Sequence, residues 1–405
     1  MSASFWLSCV AVALIVDVIL SHRGLAKAVR NRQRPYPRAT HYPSISVIRP
    51  VRGADVDAKE NFTAALDTGY PGDVETLFVF DDEHDAGLPI ARAVLEAHRE
   101  TGRPGRADVL VAGPPPNRRT GKLNAMIHGL RHARGALVAF GDSDTRPDAE
   151  VLRETVDALL TTPGAGAAFP PVVARGGLTA AGDAGYALLI NAWYGPAVSR
   201  AASADGTMPF IMGQLMVFTR QALDAIGGLE CAEGQLVDDM FLGKRIVAAG
   251  YRNVVAARPL TIVNNGMSLG RFVQVFRRWI IFSRSGLPFA FIQPLWRQGL
   301  HFFVALLGAV GAAAAGAWTA AALSVLALLV YRWSMTRLFR DFSGESLAPK
   351  YRFMVWLLAL ISPWVFISSV LRRRVEWRGR VYGLALNAEL NARPAPRATT
   401  RPMTN

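Results

Sequence analysis

Leu137-Val138-Ala139-Phe140-Gly141-Asp142-Ser143-Asp144 is the stretch that decides the fold. A short apolar run bounded by turn residues reads as a buried strand, and here it runs straight into two carboxylates that flank a single residue. The chain on either side repeats the pattern. Residues 46–51, 76–80, 109–112, 167–173, 210–218 and 253–256 read as further strands. Residues 55–67, 89–100, 122–134, 148–159, 220–226 and 238–249 read as helices between them. Such alternation predicts an α/β fold with a mostly parallel sheet. In sheets of this kind ligands bind beyond the carboxyl ends of the strands, so the polar residues that follow each strand are the informative ones.

Three strand ends carry such residues. Arg49-Pro50 closes the first, Asp81-Asp82 and then Asp85 follow the second, and Asp142-Ser143-Asp144 follows the fourth. The chain has no G-x-G-x-x-G and no G-x-x-x-x-G-K-[ST] loop, which disfavours simple dinucleotide or P-loop binding. Clustered carboxylates suit a hard divalent cation, which prefers oxygen ligands and offsets the charge of a diphosphate leaving group. Asp142 and Asp144 are placed to reach one. A D-x-D is common by chance and also suits a solvated turn, but its position after an apolar strand, beside a second acidic strand end, favours the metal reading. A carboxylate among Asp81, Asp82 and Asp85 can accept a hydrogen bond from a uracil N–H. Gly121-Lys122-Leu123-Asn124 opens a helix, so Lys122, Asn124 and the helix N-terminus are candidates for phosphate. Asp238-Asp239 opens another helix. Cap and dipole roles suit both acids, but group transfer from a diphosphate to an acceptor hydroxyl needs a carboxylate to deprotonate that hydroxyl, and Asp239 is the candidate. Arg277-Arg278-Trp279 can pair a guanidinium with diphosphate and pack an indole on acceptor or headgroup.

The 405 residues are 51% hydrophobic, and the excess gathers at residues 5–20, at about 300–331 and at about 353–371. The formal charge is +14, with Arg23, Lys27, Arg30, Arg32, Arg34 and Arg38 after the first run and Arg372, Arg373, Arg374, Arg378 and Arg380 after the last. Basic residues beside apolar runs point to the anionic cytoplasmic face of a membrane. No pattern of a nucleic-acid binder accompanies the charge. In the first run the positive charge comes after the apolar residues and no small-residue cleavage site follows, as expected of an uncleaved anchor rather than a signal peptide. The expected organisation is an anchor at 1–22, a catalytic domain at 40–285, interfacial and transmembrane helices at 286–371 and a basic tail at 372–405. Residues 301–331 are long for one crossing and short for two. Cys9 and Cys231 are too few for a disulfide framework and read as free thiols. The Ala-, Arg- and Gly-rich composition points to a bacterial source, hence an inner membrane.

Taken in order, these pieces resemble glycosyltransferase family two and its close relative, the ceramide glucosyltransferase family. They are Val47-Ile48-Arg49-Pro50-Val51-Arg52-Gly53, the acids at 81–85, Gly121-Lys122-Leu123-Asn124, Asp142-Ser143-Asp144 and Leu236-Val237-Asp238-Asp239-Met240-Phe241-Leu242-Gly243-Lys244, then Arg278-Trp279 and Trp377-Arg378-Gly379-Arg380. The match spans about residues 44–285, with weaker similarity beyond. The resemblance implies a GT-A fold facing the cytoplasm, a UDP-sugar donor, Mg²⁺ or Mn²⁺, and an inverting single displacement onto a membrane lipid. It implies Asp239 as base, Asp144 as the better metal ligand with Asp142 beside it, and nucleoside contacts at 81–85. One departure stands out. The family's (Q/R)-x-x-R-W motif, counted back from Arg278-Trp279, begins at Val275; Gln274 is one residue early and Arg277 is extra. That weakening, with few membrane spans, favours transfer of one sugar, glucose first, to a ceramide-like acceptor. A hopanoid or other lipid acceptor with N-acetylglucosamine, a polysaccharide synthase, and an inactive membrane scaffold are the alternatives.

Overall fold

The computed structural model describes residues 2–102, 105–202, 205–283, 289–370, 372–385 and 389–391. Its strands are β1 (Ile45–Val51), β2 (Val74–Phe80), β3 (Arg106–Val111), β4 (Leu137–Gly141), β5 (Thr145–Arg146), β6 (Ala165–Phe169), β7 (Val172–Arg175), β8 (Thr207–Met208), β9 (Leu215–Thr219), β10 (Arg252–Val255), β11 (Leu260–Val263), β12 (Arg374–Trp377) and β13 (Arg380–Gly383). The helices are α1 (Ala3–Arg32), α2 (Ala58–Leu66), α3 (Leu88–Glu100), α4 (Gly121–His132), α5 (Val151–Thr161), α6 (Ala181–Leu188), α7 (Gly195–Ala201), α8 (Arg220–Ala225), α9 (Asp238–Ala248), α10 (Leu269–Ser283), α11 (Phe289–Ala314), α12 (Trp318–Ser343) and α13 (Met354–Val370). A π-helical turn, Leu189–Tyr194, joins α6 to α7.

The main sheet has eight strands in the order β3-β2-β1-β4-β9-β6-β10-β8. Strands β3, β2, β1 and β4 run parallel, and β6 and β10 share their direction; β9 and β8 are reversed. A smaller sheet orders β5-β11-β7. The expected strand at 167–173 is divided between the two sheets. Pro170-Pro171 interrupts it, because proline has no N–H to give to a ladder. The expected strand at 210–218 shortens to β9, and residues 210–214 instead form a loop that floors the cleft.

Alternation along β1 sends Val47 and Ile48 to opposite faces. On one face Val47, Ala139, Val217 and Val254 pack on Val151, Val156 and Leu159 of α5. On the other, Ile48, Val79, Phe140, Phe169 and Phe218 begin a core that continues through α6, the π turn and α7 into Met335 and Leu338 of α12 and Met354 and Leu358 of α13. The catalytic sheet and the apolar helices therefore share one core.

Among the described residues, four helical segments are long and apolar enough to cross a membrane: Ala3–Arg32, Trp296–Ala314, Trp318–Ser343 and Pro349–Ser369. The ambiguous run at 301–331 resolves into the end of α11 and the start of α12, each extended by flanking residues. The anchor also outlasts its expected end at residue 22. Helix α1 continues to Arg32, and Val29 near its end is packed against Val173 of β7 and Phe342 of α12. Asp17, the one acid in the first apolar run, pairs with Arg297 and His301 of α11, as expected of a charge kept inside a helix bundle. Cys9 and Cys231 are free. The expected basic tail is different in kind: residues 374–383 form a β-hairpin folded back onto the catalytic domain.

Candidate active site

The carboxyl ends of β1, β2 and β4 lie on one edge of the sheet, and the pocket opens beside the last of them, at Asp142. Its centre is the turn after β4. The Asp142 amide donates to the Gln214 carbonyl at 2.9 Å. The Asp142 carboxylate pairs with Lys122 Nζ at 2.6 Å, and the same amine donates to the Gly213 carbonyl at 2.9 Å. Burial opposes the charge on Lys122, but the pull of Asp142, Asp238 and Asp239 prevails and holds the amine above its ordinary range. Lys122 thus joins the β4 turn to the floor of the cleft. Helix α4 is placed for this by its N-cap, where Thr120 Oγ1 accepts from the Leu123 amide at 3.0 Å. Asn124 is buried and donates to the Gly113 carbonyl.

Arg49 is buried beneath the turn and donates to the carbonyls of Asp142 and Thr145. Its pKa falls to about 10 because burial outweighs the pull of Asp142, Asp144 and Asp55. A guanidinium that spends its donors on backbone carbonyls shapes the turn from below.

Asp144 is half-buried beside Arg378, Asp142 and Asp55. Its carboxyl is pushed up to about 6 by enclosure, against the pull of Arg378, with Asp142 and Asp55 adding repulsion. Arg378 Nη2 stands 3.5 Å from it. Across the floor, Asp238 is buried with one carboxylate oxygen lacking any hydrogen-bond partner, and burial raises its pKa. Asp239, next in the first turn of α9, is pushed up to about 7, first by burial and then by Asp238, with Lys122 opposing. A carboxyl poised near neutrality at a cleft floor has the property wanted of a general base.

The approach of Asp239 depends on Gly213. A Cβ there would lie 2.6 Å from Asp239 Oδ2 and 3.0 Å from its Cβ. Gly213→Ala is expected to push the carboxylate aside and lower kcat by about 100-fold, with donor affinity nearly unchanged. Steady-state kinetics and a donor-binding isotherm check both halves.

The acids at 81–85 separate by position. Asp81 is buried and accepts from Arg52 Nη1 at 3.0 Å and Arg380 Nη1 at 2.8 Å. Asp82 is exposed and accepts from the His84 amide. Asp85 accepts from the amides of Gly53 and Gly87 and so ties two loops together. Of the basic motif on α10, Trp279 lines the pocket over Asp239. Arg278 feels Tyr186 and Asp144, and burial lowers its pKa. Arg277 turns the other way, stacking 4.8 Å over the Trp364 ring of α13. Gln274 is exposed and Val275 buried.

The pocket wall above Asp239 is aromatic. Tyr194, Trp279, Phe282 and Trp377 contribute to it. Tyr194 meets Trp279 edge-on at 4.4 Å between ring centroids, and Phe282 meets Trp377 at 5.9 Å. Tyr194 is delivered by the π turn, a local widening of the helix that recurs at functional sites.

Sequence reasoning missed Arg52, Asp55, Tyr194, Phe282 and the hairpin residues Trp377, Arg378 and Arg380 as members of this site. The last three stand in Trp377-Arg378-Gly379-Arg380, one of the family-like pieces, which carried no site role, and a second signal pointed to their fold. Arg378-Gly379 sits between Val375-Glu376-Trp377 and Val381-Tyr382, a two-residue break between strand-like runs that reads as a hairpin turn.

The family model described as glycosyl transferase family 21 matches residues 6–390, nearly the whole chain. The chain belongs to glycosyl transferase family 21. Ceramide glucosyltransferase 3 of Caenorhabditis elegans is 24% identical over 369 residues, covering 86% of this chain and 74% of that protein. Ceramide glucosyltransferase 1 of the same organism is 22% identical, covering 88% and 76%. Among solved structures, the mannosyltransferase PcManGT from Pyrobaculum calidifontis, in complex with GDP-Man and Mn²⁺, superposes with a TM-score of 0.51 at 20% identity, covering 88% of this chain and 99% of that one. This family 21 member is therefore a glycosyltransferase with a GT-A fold, associated with membrane through its apolar helices.

The donor set fits a divalent metal in one particular way. Among the described residues no group of three or more His, Cys, Asp or Glu side chains could hold an ion. Mg²⁺ and its kin are commonly held by one or two carboxylates plus substrate phosphate. Asp144, with Asp142 two residues before it, is the candidate for that protein share.

Proposed function

We propose that this glycosyltransferase moves one glucose from UDP-glucose to the hydroxyl of a ceramide-like lipid, with inversion. The observation that carries the reading is Asp239, poised near neutrality at the floor of a pocket walled by Tyr194, Trp279, Phe282 and Trp377. An apolar wall beside a base suits an acceptor that brings a hydrocarbon body with its hydroxyl. The wall belongs to elements packed on the membrane helices: the π turn touches α12, where Trp193 Nε1 contacts Met335 Sδ at 3.2 Å.

In the proposed reaction the acceptor oxygen attacks the anomeric carbon on the face opposite UDP. The new C–O bond forms as the bond to the β-phosphate oxygen breaks. The hydroxyl proton passes to the Asp239 carboxylate, and the bonding electron pair leaves with the diphosphate. Lys122 keeps Asp142 and the floor loop in register while this happens. Asp81 faces the nucleoside end, and Arg278 lends positive charge near Asp144. Mg²⁺ or Mn²⁺, held by Asp144 and Asp142, would supply charge neutralisation for the leaving diphosphate. The active site faces the cytoplasm in this reading, where nucleotide sugars are made and where basic flanks settle.

The test is reconstitution in nanodiscs with UDP-glucose, UDP-N-acetylglucosamine or GDP-mannose, Mn²⁺, and ceramide, hopanoid or mixed lipid extract, followed by mass analysis. A single hexosyl-ceramide from UDP-glucose is the expected product. A different donor or lipid would replace the substrate half of the proposal, and a ladder of products would replace single transfer with polymer synthesis. No glycolipid under any pairing would defeat the reading.

A further inference from the structure

We propose that the C-terminal hairpin β12–β13 is part of the donor site, and that the Arg378 guanidinium binds the donor's diphosphate. The inference rests on the reading of the cleft as a nucleoside-diphosphate-sugar site.

Charge balance makes the case first. Asp55, Asp81, Asp142, Asp144, Asp238 and Asp239 all border the cleft. A diphosphate brought beside so many acids is repelled unless fixed cations accompany it. Lys122 is held by Asp142 and the floor loop, Arg49 lies beneath the turn, and Arg278 of α10 is within electrostatic reach of Asp144. The hairpin adds two further cations. Arg380 pairs with Asp81 at the nucleoside end, and Arg378 pairs with Asp55 and Asp144 at the reaction end. The two arginines thus mark the line that a diphosphate must bridge between nucleoside and sugar. A guanidinium fork matches phosphate oxygens better than any other side chain.

Backbone geometry is the second observation. Trp377 and Arg380 pair across a two-residue turn, with Arg378 at φ 51° and Gly379 at φ 70°. Positive φ at both central residues makes this a type I′ turn, whose first position favours Asn, Asp or Gly. Arginine there is conformationally disfavoured, and strain of this kind gathers at functional sites.

The third observation is the seat. The Arg380 guanidinium lies so close over Gly121, at the start of α4, that any Cβ there would overlap it. The Arg378 carbonyl accepts from Arg52 Nε at 2.6 Å. The hairpin is thereby keyed to the N-terminus of α4 and to the loop after β1. In this structure Arg378 rests on the carboxylates of Asp55 and Asp144. When a diphosphate enters, Arg378 exchanges Asp144 and Asp55 for phosphate oxygens, and Asp144 is released toward the cleft.

The experiment measures equilibrium binding of UDP, UMP and uridine, each with Mn²⁺, to the full chain in nanodiscs. Arg378→Ala is expected to weaken UDP by about 10- to 100-fold and to leave uridine unchanged. Arg378→Lys, which keeps the charge but loses the fork, should fall between and serves if the alanine variant does not fold. Asp55→Asn removes the resting partner and should tighten UDP, and that gain should vanish in the Arg378→Ala background. Damage to the fold would weaken uridine as well and would not produce a gain. Wild-type binding of UDP that Arg378→Ala and Arg378→Lys leave unchanged would overturn this assignment alone. Equal loss of UDP and uridine would do the same. Wild type that binds no nucleotide at all would overturn the donor reading along with it.

Discussion

Asp239→Asn is expected to lower kcat/KM by about 10²- to 10⁴-fold, the range spanned by general-base contributions, while UDP binding stays within a few-fold of wild type. Asparagine keeps the shape and the hydrogen bond to the Met240 amide but cannot take a proton. The pH profile should carry the same signature. With a pKa raised to about 7, Asp239 is protonated below neutrality, so kcat/KM should fall about tenfold per unit as pH drops below 7. The effect on stability has the opposite sense. A carboxyl whose folded pKa exceeds its unfolded value of 3.8 contributes stability that is full below that unfolded value and is lost as pH rises through about 7. Asp239→Asn should therefore raise Tm at pH 8 and leave it nearly unchanged at pH 3.5. A variant with wild-type turnover, or a flat profile between pH 5 and 8, would remove Asp239 from the base role.

Asp144→Ala should cost a similar amount by a different route. A metal at a transferring phosphate is worth several kcal/mol of charge stabilisation, which corresponds to a loss of about 10²- to 10⁴-fold in turnover. Unlike Asp239→Asn, the change should abolish the Mn²⁺ dependence of UDP binding. Asp142→Asn should behave differently again, because Asp142 holds Lys122 at 2.6 Å and its loss also loosens the floor loop through Gly213. A Mn²⁺ titration of UDP affinity in the three variants separates these cases. Unaltered Mn²⁺ dependence in Asp144→Ala would move the metal elsewhere.

Much of the catalytic half was legible in the sequence because its signals are local. The runs at 46–51, 76–80 and 137–140 became β1, β2 and β4 with ends moved by no more than about two residues, since apolar strands bounded by turn residues state their own limits. The clustering of carboxylates beyond β2 and β4 followed from strand direction alone. What was not legible depends on distance along the chain. Arg378 reaches Asp55 across more than three hundred residues, and its basic neighbours resembled a membrane-facing tail. Tyr194 reaches the pocket through a π turn, which leaves no periodic mark. Arg277 and Arg278 are adjacent and equally basic, yet one faces Trp364 and the other the side of Asp144. Helical phase, set by how α10 packs, decides between them.

The return of the hairpin to the cleft fixes a parity. Helix α10 leaves the catalytic domain at Ser283, and β12 rejoins it at Arg374. A chain that departs from and returns to one side of a bilayer has crossed it an even number of times. Three helices lie between those points, so at least one of them does not cross. The end of α12 is already home: the Asp341 carbonyl accepts from Gln33 at the end of α1, and the Ser343 carbonyl accepts from Arg175 at the end of β7. The pair α11 and α12 therefore makes the round trip. Helix α13, seventeen residues with Pro363 inside it, is then expected to begin and end on the catalytic side. Counting α1, this arrangement predicts three crossings from the four apolar segments. Cysteine labelling from the two sides should place residues 315–317 opposite the active site and residues 344–348 beside it.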